Sequence, residues 1–114
     1  MKYLLQIYLG DSMTRLAALP HDEQQPVYDE YCALAQAPGL IDARQLQSAE
    51  TATTVRVIDG QTVTARGPFA EAEELLGGYY LIEAEHPAAA IELAARIPAA
   101  RLGGAIEIRP VTDR

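Results

Sequence analysis

Short segments rich in apolar, β-branched and aromatic residues recur along this chain and predict the strands of a sheet. The Asp59-Gly60 pair between two of them is a strong signal for a two-residue hairpin turn, because both turn positions need a positive φ. Turn-forming residues also bound the other segments. The predicted strands cover residues 3–9, 40–46, 53–58, 61–66, 79–84 and 104–109.

Two other segments have the spacing of helices. Val27, Tyr31 and Leu34 recur at helical intervals, and we expect the first helix to run from residue 26 to 37 because proline is tolerated only in the first turn. An irregular stretch is expected before it. The second predicted helix is alanine-rich, covers residues 87–97 and is stopped by Pro98.

The order of these elements predicts the fold class. Strand, helix, strands, then strand, helix, strand is the order of an α+β ferredoxin-like sandwich with an inserted hairpin. At 114 residues the chain is expected to form a single domain over residues 1–114. Both helices are then expected on the same face of the sheet.

The strands carry apolar side chains on their other face as well. Leu4 and Tyr8 flank Gln6 in the first strand, and Tyr79 and Leu81 precede a glutamate in a later one. An apolar face that no helix covers indicates a partner surface. The simplest partner is a second copy of the chain, so we expect a homodimer whose sheets pack face to face.

Composition narrows the class of protein. A net charge of −7 disfavours binding to phosphate backbones and to anionic membranes, so we expect neither nucleic acid nor a membrane as partner. The sequence has no apolar span of membrane-crossing length and no signal-peptide core, which predicts a cytoplasmic protein. The single cysteine, Cys32, rules out an intramolecular disulfide and is predicted to be a buried core thiol.

Strand alternation also predicts a candidate binding site. Titratable and hydrogen-bonding side chains share the face opposite the helices, as expected of a small-molecule cleft. The alternative is that its charges are solvated or form ion pairs on the surface. Arg66, next to Gly67-Pro68, adds a cation that could clamp a carboxylate or phenolate. The predicted ligand-binding residues are Tyr8, Arg66, Tyr79, Glu83 and Arg109.

Metal and cofactor sites are not indicated. His21 and His86 lie far apart and neither has the spacing of metal ligands. No glycine-rich phosphate loop is present, so we expect no cofactor. His86 precedes Pro87 and is predicted to start the second helix.

One segment resembles a known family. From Ala65 to Glu83 the chain reads ARGPFAEAEELLGGYYLIE, in which a Gly-Pro break, an acidic turn and a Gly-Gly hinge lead into an aromatic strand. This text is similar to the signature of the YCII-related family, in the subgroup named for an Asp-Gly-Pro-Phe motif. Here Arg66 stands in place of the motif's aspartate, and Glu73 stands where lysine is usual.

The resemblance implies a dimeric α/β barrel and indicates candidate catalytic residues and reactions. The wider family has a histidine that pairs with an aspartate, and His21 lies at the matching place, which makes it the candidate catalytic general base. Arg66 takes the aspartate's place, so Asp11 or Asp22 would have to provide the carboxylate. The broader superfamily includes metal-independent monooxygenases, isomerases and dehydrochlorinases that act on small molecules, and genes of the subgroup often neighbour extracytoplasmic sigma factors.

Two functions are therefore open. The first is a cofactor-independent enzyme that binds a small anionic or phenolic compound in a cleft on the dimer-facing side of the sheet. The alternative is a non-catalytic regulatory or ligand-binding module linked to an extracytoplasmic sigma factor. Turnover that depends on a histidine would indicate the enzyme, whereas saturable binding without product would indicate the module.

Overall fold

The computed structural model describes residues 1–68 and 75–112. They form a mixed α+β structure with an antiparallel sheet. In chain order the elements are β1 (Lys2–Tyr8), α1 (Ser12–Ala18), α2 (His21–Leu34), β2 (Leu40–Gln45), β3 (Thr53–Ile58), β4 (Gln61–Arg66), β5 (Leu76–Glu83), α3 (Pro87–Ala95) and β6 (Ala105–Pro110). Short 3₁₀ turns lie at Ala49–Thr51 and Pro98–Ala100.

The central sheet contains four strands in the order β2-β5-β1-β6, and each neighbouring pair is antiparallel. The register places Leu5 of β1 between Tyr80 of β5 and Ile108 of β6. Because side chains alternate along a strand, these three residues lie on one face, which we call the covered face.

Helices α2 and α3 pack on the covered face. Tyr3, Leu5 and Ile82 are almost fully buried against Leu34 of α2 and Ala90 of α3. Alternate residues of the same strands, Leu4 and Leu81 among them, are only half-buried and lie on what we call the open face. The expectation that both predicted helices lie on one side of the sheet is confirmed.

The first predicted helix differs from the structure in its start and its end. Helix α2 begins at His21, five residues before Pro26, and ends at Leu34 rather than at residue 37. Pro26 sits on the exposed side, where its missing N–H leaves one backbone carbonyl without an intrahelical donor. Acidic residues Asp22 and Glu23 occupy the first turn, where the helix dipole favours negative charge.

Helix α1 lies in the stretch expected to be irregular. Only Ser12 and Leu16, one turn apart, are buried in it. This short segment therefore offers too few apolar positions for a helical period to be recognised. Cys32 was also placed wrongly, since it is exposed on α2 rather than buried in the core.

Strand β5 begins at Leu76, three residues earlier than predicted, so Gly77 and Gly78 are strand residues and not a hinge. A Cβ atom on Gly78 would lie only 2.7 Å from the carbonyl oxygen of Arg44 in β2. Glycine is needed there because the two backbones approach closely. Helix α3 ends two residues before its predicted end, and β6 is shifted by one residue.

Strands β3 and β4 form a separate two-stranded hairpin with the predicted bounds. Asp59 and Gly60 have φ values of 51° and 78°, as the hairpin turn requires. The acidic turn of the Ala65–Glu83 segment, with Phe69 before it, lies outside the described residues. Among the described helices, none has the length and apolar character needed to cross a membrane.

Candidate functional site

A cavity of about 710 Å³ lies between the covered face and the helices. Ile7, Ala43 and Tyr80 form its sheet wall, while Leu16 of α1 and Tyr31 of α2 form its helix wall. Volumes of this size are typical of small-molecule sites. The cavity arises because α1 and the segment after β2 border the sheet without filling the space between them, where Leu46 and Glu50 add to the lining.

Ser12 is a polar residue in the wall of this cavity. It is 4% exposed, and among the described residues its hydroxyl has no hydrogen-bond partner. Its position follows from the turn after β1, where the Ser12 N–H donates to the Leu9 carbonyl at 2.8 Å. An unpaired hydroxyl beside an apolar cavity can donate to or accept from a bound molecule.

Two tyrosines of the lining, the partly buried Tyr31 and the buried Tyr80, add neutral hydroxyls. Burial raises the pKa of Tyr31, and the Ala99 backbone and the Arg101 charge only partly oppose this. Burial also raises the pKa of Tyr80, helped by the neighbouring Tyr31. Both phenols therefore keep their protons at neutral pH and can donate hydrogen bonds.

The open face carries a different kind of polar group. The Tyr79 hydroxyl donates to Asp42 Oδ2 at 3.1 Å, and Arg44 Nη1 lies 2.9 Å from Asp42 Oδ1. The hydrogen bond to Asp42 is the main cause that raises the pKa of Tyr79, with smaller contributions from desolvation and from the Asp42 charge. Register brings the three together, since Arg44 lies opposite Tyr79 and Asp42 lies opposite Leu81.

Four of the predicted ligand-binding residues share this open face. They are Tyr8, Tyr79, Glu83 and Arg109. Their charges are paired at the surface: Arg109 Nε lies 2.8 Å from Glu107 Oε1, and Glu83 Oε1 lies 2.7 Å from the amino group of Met1. Such exposed pairs contribute little to stability, about 0–1 kcal/mol.

The structure does not bring His21 and Arg66 to the cavity. His21 is the first residue of α2 and is exposed, and Arg66 is the last residue of the hairpin strand β4 and is exposed as well. Neither lines the cavity. Asp11, one of the two carboxylates considered for His21, pairs instead with Arg15 at 3.0 Å.

The second histidine has the role that the sequence predicted. His86 is the N-cap of α3, and its Nδ1 accepts from the Ala89 N–H at 3.3 Å. Among the described residues, no group of three or more His, Cys, Asp or Glu side chains is arranged to hold a metal ion.

Comparison with known proteins supplies the family. The YCII-related domain matches residues 1–114 of the chain. The chain belongs to the YCII-related family. It is also 30% identical over 116 residues to an uncharacterized protein of Rhizobium meliloti (strain 1021), an alignment that covers 97% of this chain and 92% of that protein.

The cavity residues of this YCII-related domain were not found by sequence reasoning. Tyr31 was assigned only to a helix, and Ser12 and Tyr80 were not among the candidate site residues. The sequence did contain one indication of the site. Ser12 lies between Gly10 and the apolar Leu16, at a position where the structure buries a polar residue. The space between α1 and β2 is a result of long-range packing, which the local sequence does not specify.

Proposed function

We propose that this YCII-related protein binds a small, mostly apolar organic molecule in the cavity between its sheet and its helices. The observation that carries this proposal is the cavity itself, whose volume of about 710 Å³ is lined by aliphatic and aromatic side chains with a few hydroxyls. Such a lining stabilises an apolar ligand by removing it from water, and the hydroxyls fix its orientation.

The experiment is a titration with N-phenyl-1-naphthylamine, a neutral apolar probe that fluoresces when it leaves water. Two matched variants place the same side chain on opposite faces of the sheet. Ala43→Leu extends into the cavity, and Ala105→Leu adds to the open face beside Tyr8. We expect saturable binding to the wild type, weakened about ten-fold or more by Ala43→Leu and unchanged by Ala105→Leu.

The titration also separates this proposal from a second site. The ligand could instead lie on the open face, as an anionic or phenolic molecule. The support for this second site is that four candidate binding residues share that face: Tyr8, Tyr79, Glu83 and Arg109. In that case Ala105→Leu weakens binding and Ala43→Leu does not. Absence of saturable binding to the wild type would contradict the cavity proposal.

We also propose a homodimer formed through the open face. Leu4 and Leu81 lie opposite each other in the middle of that face and are half-buried, with charged and hydrogen-bonded groups around them. An apolar centre with a polar rim is the usual composition of a protein interface. Together with the strand order and the helices on one face, this supports a ferredoxin-like fold that pairs into a dimeric α/β barrel.

The role that we propose is a ligand-binding module, because the cavity offers hydroxyls on an apolar wall, a lining suited to holding and orienting a molecule. A cofactor-independent enzyme is the alternative, and product formation from a bound ligand would indicate it. The text around Gly67-Pro68 supports assignment to the Asp-Gly-Pro-Phe subgroup. That assignment is the basis for proposing a regulatory role beside an extracytoplasmic sigma factor in the cytoplasm.

A further inference from the structure

We propose that Ser12 is the hydrogen-bonding anchor of the cavity and that the ligand is a neutral aromatic or alicyclic molecule with a hydroxyl or carbonyl group. This inference rests on the proposed function, and it adds the chemical class of the ligand and the residue that selects it. The observation that carries it is Ser12 in the cavity wall: the residue is 4% exposed, and its hydroxyl has no partner among the described residues although it is not fully sealed from solvent.

The first step concerns the hydroxyl. Buried polar groups in folded proteins are almost always hydrogen-bonded, because leaving one unpaired costs free energy. No described residue pairs with the Ser12 hydroxyl, which keeps to this rule only because it is not fully sealed from solvent, while its backbone N–H is satisfied by Leu9. A ligand oxygen beside Ser12 would supply the missing partner, and a hydroxyl can both donate and accept.

The second step concerns charge. The charged residues that line the cavity in the described part of the chain are Arg44 and Glu50. Arg44 already pairs with Asp42, and it lies on a strand position that faces the open side. A buried anion would therefore lack a free cation, whereas a neutral oxygen needs only hydrogen bonds from Ser12 and the phenols.

The third step concerns shape and surface. Ile7, Leu16 and Tyr80 present apolar and aromatic surface in the same cavity as Ser12. Aromatic side chains stack on flat rings and bury a large area. In a compact ring system with one polar substituent, the ring would contact the apolar side chains and the substituent would bond the Ser12 hydroxyl.

The test compares two probes of nearly equal size, 2-naphthol and 2-methylnaphthalene, by calorimetric or fluorescence titration at neutral pH. We expect the wild type to bind 2-naphthol about ten-fold more tightly, since a site built around a hydroxyl discriminates against an analogue that lacks one. Ser12→Ala should bring the two affinities within about two-fold of each other by weakening 2-naphthol alone. Ser12→Thr, which keeps the hydroxyl, should restore the preference.

The matched control is Thr14→Ala, which removes an exposed hydroxyl from the same helix and should change neither affinity. Melting curves of the free variants exclude a general loss of structure. If Ser12→Ala binds both probes and still prefers 2-naphthol, Ser12 is not the anchor, but ligand binding in the cavity is still supported. Tighter binding of 2-naphthoate than of 2-naphthol would overturn the neutral class, and failure of every probe to bind the wild type would overturn the proposed function as well.

Discussion

Leu4 and Leu5 are neighbours in β1, yet Leu5 is fully buried under the helices whereas Leu4 is half-buried on the open face. The polar groups of the two faces differ in the same way. Beside the covered face they are mainly neutral hydroxyls around a cavity, and on the open face they are charges joined in pairs such as Arg44 with Asp42.

The difference shows how one sheet can provide two kinds of surface. On the covered face, Leu34 and Ala90 of the helices bury the apolar side chains of the sheet. A polar group on that face is removed from water and needs a neutral hydrogen-bond partner. On the open face the charges pair with one another at the surface, and the apolar centre around Leu4 and Leu81 is left for another molecule. Stability is thus expected to depend on the first face and association on the second.

The largest expected effect is on stability. Leu5→Ala should lower the free energy of unfolding by about 2–5 kcal/mol, because it leaves a cavity in the buried core. Leu4→Ala, one residue away, should lower it by less than about 1 kcal/mol in the monomer. Urea unfolding at low protein concentration measures both, and equal losses would contradict the division between the faces.

The second effect is on association. Leu81→Glu should weaken the proposed dimer by roughly 2 kcal/mol or more, because it places a charge in the apolar centre of the open face. Val57→Glu is the control, since Val57 is 69% exposed on the hairpin. Analytical ultracentrifugation reports the association state, and a wild type that is monomeric at micromolar concentration would refute the dimer.

A smaller effect is expected in alkali. The pKa of Tyr80 is raised above 10.0 by burial, so the folded state holds this proton more tightly than the unfolded state. The protonated Tyr80 phenol makes its full contribution to stability below pH 10.0, and this contribution is lost as the pH rises through the pKa of the folded state. Tyr80→Phe should therefore flatten the fall of stability above pH 10.0, as followed by chemical unfolding across that range. An unchanged slope would show that this phenol does not contribute.

The smallest effect is local to the open face. Asp42→Asn should bring the pKa of Tyr79 down towards its ordinary value, since the hydrogen bond to Asp42 is the main cause of the rise. The pKa of Tyr80 should stay unchanged because its cause is burial. Titration of labelled tyrosines by NMR distinguishes the two, and a coupled change in both would mean that the faces are not independent.

The sequence predicted an element well where the residues that determine it are close together in the chain. The hairpin bounds and its turn follow from Asp59-Gly60, and the two faces of the sheet follow from alternation in β1 and β5. The start of α2 did not follow, because Pro26 lies inside the helix, whereas proline is usually found only in the first turn. The cavity could not be predicted, since it depends on how far α1 stands from the sheet.

The candidate site was predicted only in part. Alternation correctly placed four of the named side chains on one face, but the sequence could not show that Asp42 and Arg44 would occupy their neighbourhood through β2 pairing. His21 was linked to the site by resemblance and Arg66 by its charge, and the structure places them on α2 and on the hairpin.

The hairpin of β3 and β4 has a practical consequence for protein engineering. Its base is closed by a bond from the Gly67 N–H to the Ala52 carbonyl at 2.8 Å, and the Thr54 hydroxyl donates to Gly67 at 2.7 Å. Exposed loop tips with such closed bases tolerate inserted sequence. A peptide epitope or fluorescent reporter placed between Asp59 and Gly60 would therefore extend a surface appendage and leave the hydrophobic layers of the four-stranded sheet untouched.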